Sequence, residues 1–242
     1  VQQDNQWWDQ VIWISAAWNH YLVTGDQTFL NNAYQTATNT LSLQRSNRYN
    51  TSYGLFQGPS FFNDGIAGYP APPADAGETL GGFVLSYPPT YQMMALSTNT
   101  LYYQAYRSAA QMATALGRPS TEIDPLNSMA TSLATAINQR FWIPSSGTYG
   151  YMIHNGDSLS GTLDTSEEGT GQSFAILFGI ADATKATSIL QKAHIQPHGI
   201  VDVYPNFARY SDAQPGRHNK IVWPMIQGFW ALAGAKYGDE IV

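Results

Sequence analysis

The connections between helix-like segments in this 242-residue chain alternate short, long, short, long, short, long. In an array of antiparallel helices, alternate connections fall at opposite ends. All three long connections therefore share one rim, and the short turns close the other. The helix after each long connection aims its N-terminus, the positive end of its dipole, at the loop rim. A superhelical solenoid of helix pairs gives a similar alternation, but it needs self-similar repeats, and these hairpins differ. The expected fold is all-α, a helical-hairpin toroid with short β-hairpins in the long loops.

The segments behind this pattern come from apolar spacing. Residues from about 4 to 23 carry Trp8, Val11, Ile12, Ala16, Leu22 and Val23 at near-helical spacing, with a second stripe of Trp7, Ile14 and Trp18. Thr24-Gly25-Asp26 reads as a stop followed by the N-cap of a helix from about 27 to 44. A loop from about 46 to 97 follows, and Ser97-Thr98-Asn99 is expected to cap a helix through Leu116, with Gly117 as its stop. After the turn at 118–121 comes a helix from about 122 to 141. The second long connection, about 142 to 165, holds a short strand at Thr148–Ile153 and a hairpin turn at Asn155-Gly156. Helices near 167–180 and 184–193 flank Ala181-Asp182-Ala183. The third long connection carries Ile200-Val201-Asp202-Val203-Tyr204-Pro205, and a last helix is expected from near Lys220.

Composition narrows the ligand. A net charge of -6 with 11 Lys+Arg leaves no basic cluster to neutralise phosphates, so no nucleic-acid partner is expected. No run of about eighteen apolar residues marks a membrane span. With no cysteine, thiolate metal sites and disulfides are excluded. His194 and His198 are four apart, but Pro197 breaks any helix between them, so no metal is expected, and with no phosphate loop or dinucleotide fingerprint no cofactor is expected either. Only 12% of residues are charged, while uncharged polar residues abound. Groups that do not titrate keep their interactions as pH falls, which points to a secreted or periplasmic protein. The sequence opens at Val1 without a basic n-region or an apolar h-region, so any secretion signal is expected to have been removed or never present.

The long loop from Gly54 to Pro70 carries the chemistry. It lies in the connection near 46 to 97, and a loop of about fifty residues inside a compact domain is functional or disordered; its Phe and Tyr content argues against disorder. Glycoside hydrolysis needs two carboxyl groups across the scissile bond, one kept protonated by its surroundings. Asp64 fits best, with Phe61 and Phe62 before it and Gly65 and Gly68 after it to admit a ligand; a turn or cap aspartate is the alternative. Asp75 and Glu78 sit in a Pro/Ala/Gly-rich stretch that reads as a solvated flap. Asp164, Glu167 and Glu168 lie where the second loop enters a helix, where first-turn capping competes with a hydroxyl contact or the base role for the glutamates. Sugar rings stack on aromatic faces while polar side chains take the hydroxyls. Trp7 and Trp223 are expected at the rim, with Trp13 and Trp18 in the core. His218-Asn219 supplies side-chain donors beside Trp223-Pro224.

Several segments together resemble the six-hairpin (α/α)6-toroid glycoside hydrolases, in the branch similar to bacterial mannosylglycerate hydrolases and processing α-glucosidases. They are Trp18-Asn19-His20-Tyr21-Leu22-Val23-Thr24-Gly25-Asp26, the Gly54–Pro70 loop, Ser97-Thr98-Asn99-Thr100-Leu101-Tyr102-Tyr103, Tyr149-Gly150-Tyr151, Leu177-Phe178-Gly179-Ile180-Ala181-Asp182, and His218-Asn219 through Trp223-Pro224. The resemblance implies an inverting hydrolase of α-linked glucose- or mannose-type glycosides, with Asp64 as general acid and a base beyond the helix that Trp223-Pro224 introduces. Glu167 is the candidate for a base within the chain. Substrate contacts are expected from Trp7, Phe62, Tyr69, Tyr151, Glu168, His218, Asn219 and Trp223. A closed toroid needs about twelve helices, so the resemblance further implies an incomplete ring. The remainder of a longer polypeptide or a second chain would complete it. The alternative is a noncatalytic sugar-binding or scaffold toroid lacking the base.

Overall fold

The computed structural model describes residues 6–65, 68–70, 84–207, 211, 213 and 218–237, the side chain of Ser86 excepted. Asp75 and Glu78 lie outside the described residues. Eight α-helices occur among the described residues: α1 (Trp7–Gln10), α2 (Ile12–Thr24), α3 (Gln27–Arg48), α4 (Leu96–Ala115), α5 (Ser120–Phe141), α6 (Gly169–Leu177), α7 (Ala183–Lys192) and α8 (Pro224–Lys236). α2 packs on α4, α4 on α6 and α6 on α8, while α3, α5 and α7 lie outside this row. Burial is deepest in the two central helices of this row. Of the 20 residues of α4, 15 are buried, and of the 9 in α6, 8 are buried. The outer α5 buries six of 22, on one stripe of Met129, Ala130, Leu133, Ala136, Ile137 and Phe141. The helices thus form an arc of an (α/α) toroid with four inner helices, and the inner N-termini meet at the rim carrying the long loops.

Local signals explain much of this. Gly25 ends α2 in the left-handed region at φ 67°, a conformation that a Cβ would strain, and Asp26 caps α3 by accepting from the Phe29 amide at 2.9 Å. Gly117 closes α4 in the same way, at φ 65°. α8 begins at Pro224, four residues after Lys220, because proline is tolerated where no intrahelical donor is needed.

The long connections are pinned by two-residue strands. They are β1 (Tyr49–Asn50), β2 (Leu55–Phe56), β3 (Met94–Ala95), β4 (Trp142–Ile143), β5 (Thr148–Tyr149), β6 (Met152–Ile153), β7 (Leu163–Asp164), β8 (Glu167–Glu168), β9 (Ile195–Gln196), β10 (Gly199–Ile200) and β11 (Val203–Tyr204). β3, β6 and β7 form one antiparallel sheet, and β8 pairs with β11. The second and third loops are therefore stitched together. β6 and β7 are joined by residues 154–162, so Asn155-Gly156 lies within a long loop and is not a two-residue hairpin turn.

Ser97, Thr98 and Asn99 do not cap α4, whose N-cap is Ala95. All three instead reach across to the first long loop. Asn99 Oδ1 accepts from the Phe56 amide at 2.7 Å while its Nδ2 donates to the Phe56 carbonyl at 3.1 Å and the Ala95 carbonyl at 2.8 Å. A side-chain amide thus completes the hydrogen bonding of a buried strand residue. Thr98 Oγ1 donates to the Pro59 carbonyl, and Ser97 Oγ accepts from the Phe61 amide at 2.9 Å. Beneath them Phe56 stacks on Tyr102 with centroids 3.7 Å apart.

Asn99→Ala leaves the buried Phe56 N–H and C=O unpaired. We expect a loss of roughly 2–3 kcal/mol in chemical denaturation; a loss below about 0.5 kcal/mol, the scale of ordinary surface substitutions, would show that the loop is held by other means.

Candidate active site

The rim is built around the segment that carries Asp64. Phe62 adopts φ 68°, an uncommon conformation for an aromatic residue, and its amide donates to Asp9 Oδ1 of α1 at 3.1 Å. The left-handed turn leaves Asn63 fully buried and the side chain of Asp64 36% exposed. His218, from the third loop, also has positive φ, at 57°. Its ring is 1% exposed and lies between two carboxylates: Nε2 is 2.8 Å from Asp64 Oδ1, and Nδ1 is 3.3 Å from Asp202 Oδ2. Trp223 stacks on the imidazole at 5.2 Å and 15°, while Phe62 meets it edge-on at 5.4 Å. Phe62 and Trp223 also contact each other, at 5.3 Å.

Asp202 is fully buried. With its amide nitrogen turned toward this carboxyl, Asn63 donates to the two Asp202 oxygens at 2.7 and 3.1 Å. The Tyr151 hydroxyl lies 3.0 Å from the Asn63 amide oxygen and 2.7 Å from the Gly68 carbonyl, with one proton to give to either. Burial raises the Asp202 carboxyl above its ordinary range, opposed by the contacts from His218 and Asn63.

A second buried carboxyl stands behind the first. Glu167 and Glu168 sit in β8, not in a first helical turn, and successive strand residues face opposite ways. Glu167 is half-buried, and its Oε2 accepts from the His194 amide at 2.8 Å. Glu168 points inward with no exposure, taking hydrogen bonds from Ser60 Oγ at Oε1 and from the Ser97 amide at Oε2, the latter at 3.1 Å. Burial pushes its pKa up to about 8, against the opposing effect of those hydrogen bonds.

The remaining expected site residues divide between the rim and its foundation. Phe62 and Trp223 pack on the imidazole of His218, which in turn contacts Asp64. Tyr69 and Tyr151 are fully buried and stacked at 6.1 Å; the Tyr69 hydroxyl donates to the Asn63 carbonyl at 2.6 Å. Trp7 is buried too, its indole donating to the Gln57 carbonyl at 3.2 Å beneath the Arg48 guanidinium. Asn219 is buried with no hydrogen-bond partner on either amide atom among the described residues. Asp164 belongs to a separate group around His154, 3.7 Å from its Nε2. Trp13 and Trp18 are partly buried and pack against the helical core. Gly68 makes room for protein: a Cβ there would stand 2.7 Å from the His218 carbonyl. A groove of about 680 Å³ between α4 and α5, lined by Tyr103, Arg107 and Asn127 among others, contains none of these residues.

Asp202, Asn63, Ser60 and Ser97 are the members of the cluster that sequence reasoning missed. Asp202 did leave a trace: an acid set between Val201 and Val203 in an apolar run has nowhere to go but inward.

A family profile described as the mannosylglycerate hydrolase MGH1-like glycoside hydrolase domain matches residues 8–209. No curated protein matches the chain. Among solved structures, the mannosylglycerate hydrolase of Thermus thermophilus in complex with glucose superposes with a TM-score of 0.72 at 13% identity, over 95% of this chain and 64% of that one. A GH78 family rhamnosidase of Bacillus sp. GL1 gives 0.62 at 20% identity, over 94% of this chain and 19% of that one. The neutral trehalase of Saccharomyces cerevisiae gives 0.53 at 15% identity, over 64% of this chain and 30% of that one. The chain therefore spans about a fifth of the rhamnosidase and about two thirds of the mannosylglycerate hydrolase. At these identities the likeness is one of fold.

The buried Glu168 carboxyl makes stability depend on pH. The folded state holds its proton with a pKa of about 8 against 4.5 when exposed, so stability is fully present below about pH 4.5 and falls as pH rises toward 8. The steepest contribution is roughly 1.4 kcal/mol per pH unit. Denaturation of Glu168→Gln between pH 5 and 8 should show a shallower decline than the wild type; equal slopes would place the ionisation elsewhere.

Proposed function

Because this chain belongs to the family of mannosylglycerate hydrolase MGH1-like glycoside hydrolase domains, we propose that it hydrolyses α-linked glucose- or mannose-type glycosides by an inverting mechanism with Asp64 as general acid. One observation carries the assignment of Asp64: it is the solvent-reaching end of a carboxylate–imidazole–carboxylate chain whose other members, His218 and Asp202, are 1% and 0% exposed. A general acid must meet the leaving oxygen while its own surroundings control its proton. Phe62 and Trp223 offer apolar ring surface to a sugar beside it. Glucose in the solved Thermus relative motivates the glucose-type substrate.

Inversion needs a second carboxylate about 6.5–9.5 Å away with room for a water between the two. Glu168 and Asp202 are sealed from solvent and cannot fill that role. The proposed base therefore comes from the remainder of a longer polypeptide or from a second chain, with Glu167 as the alternative within this one. The uncharged polar composition supports a secreted or periplasmic location.

A sugar-binding toroid without turnover is the second reading, favoured by that same burial of Glu168 and Asp202. Calorimetry against an α-glucoside and α-mannoside panel, run beside a reducing-sugar assay, separates the two: binding without release supports the toroid without turnover. For the enzyme, Asp64→Asn should lower turnover of α-linked disaccharides by about 10²–10⁴-fold with the unfolding midpoint unchanged. Retained turnover would remove Asp64 from the mechanism.

A further inference from the structure

His218 is too deeply buried to touch a substrate, yet it holds the one exposed carboxylate of its chain of contacts. Its ring has little freedom. Trp223 covers one face at 15°, Phe62 abuts it edge-on, and the positive φ of 57° fixes the direction from which it enters. Asp202, at its far nitrogen, is equally fixed: its amide donates to the Ile221 carbonyl at 2.8 Å, and its carbonyl accepts from the Gly169 amide at 2.8 Å. The backbone at the N-terminus of α6 and the approach to α8 thus fix Asp202 at one nitrogen of the imidazole, and Asp64 meets the other.

We propose that His218, oriented by Asp202, is a positioning residue that stabilises the Asp64 carboxylate formed as the leaving group is protonated. This rests on the reading of Asp64 as general acid. In the competent state Asp202 carries a proton and donates it to Nδ1, so Nε2 keeps its hydrogen and donates to Asp64 Oδ1. When the Asp64 Oδ2–H bond breaks, the proton passes to the glycosidic oxygen and the electron pair stays on the carboxylate. The Nε2–H to Oδ1 hydrogen bond then becomes charge-assisted, roughly twice as strong as its neutral counterpart. The gain arises only as the acid gives up its proton, which is the condition for raising turnover rather than binding. If the Asp202 proton moves to the imidazole, the carboxylate left behind is stabilised by the Asn63 amide, which donates to both of its oxygens.

A leaving-group comparison in the full-length protein tests this. Glycosyl fluorides depart without general-acid help, whereas disaccharides require it. With α-glucosyl and α-mannosyl fluorides and the corresponding α-linked disaccharides as probes, His218→Ala should lose about 10²-fold in kcat/KM on disaccharides and less than about 3-fold on fluorides. His218→Gln, whose amide can still donate, should recover part of the disaccharide loss. Equal losses on both substrate types in both variants would mean that His218 serves only the fold, and would overturn the inference. Asp64→Asn run alongside separates the two claims. A split for Asp64→Asn without one for His218→Ala overturns the inference alone, while no split for Asp64→Asn removes the acid assignment and the inference with it. A wild-type protein that hydrolyses none of the four probes overturns both.

Discussion

A carboxyl group without access to water holds the rim of this protein together. Glu168 ends a strand of the second long loop, takes a hydroxyl from Ser60 in the first loop, and takes the backbone amide of Ser97 at the start of α4. Ser97 in turn accepts the Phe61 amide, and its hydroxyl lies 3.1 Å from that of Ser60. Loop, strand and inner helix meet on one side chain. Breaking such a buried contact costs more than an exposed pair ever contributes, because each orphaned group loses its full solvation. The segment from Ser60 to Asp64 therefore has one position relative to the helices, and the turn at Phe62 can hold its uncommon backbone angle.

On that foundation the polar groups sort by exposure. Glu168, Asp202 and His218 are inside, and Asp64 reaches out. Aromatic rings sort likewise: Trp7, Tyr69 and Tyr151 pack under the loops, and Phe62 and Trp223 enclose the imidazole that holds the exposed acid. Those buried tyrosines still matter to the chemistry, since Tyr69 and Tyr151 hold Asn63, and Asn63 holds Asp202. The inner helices contribute their N-termini, where backbone donors and the helix dipole favour the acidic groups gathered there.

The arc of hairpins was legible in the sequence because each of its determinants is local. Apolar spacing marks the helices, Gly25 and Asp26 separate two of them, and connection length alone assigns the loops to one rim. The site was legible only in part. Asp64 stands out within its loop, but its imidazole partner lies 154 positions away, and no local pattern joins them. A two-residue strand is too short to show a period, so the opposite fates of Glu167 and Glu168 could not be told apart. Ser97, Thr98 and Asn99 carry the composition of a cap and are used for a tertiary contact, since the same side-chain chemistry serves both.

Catalysis at this rim requires a sugar to bind at Asp64. A crystal structure of the full-length D64N protein with an intact α-linked disaccharide tests this most directly. The expected result places the glycosidic oxygen within about 3 Å of the side chain at position 64, with Phe62 or Trp223 against a sugar ring. A disaccharide lodged away from the loop rim, as in the groove between α4 and α5 beside Tyr103 and Arg107, would contradict it.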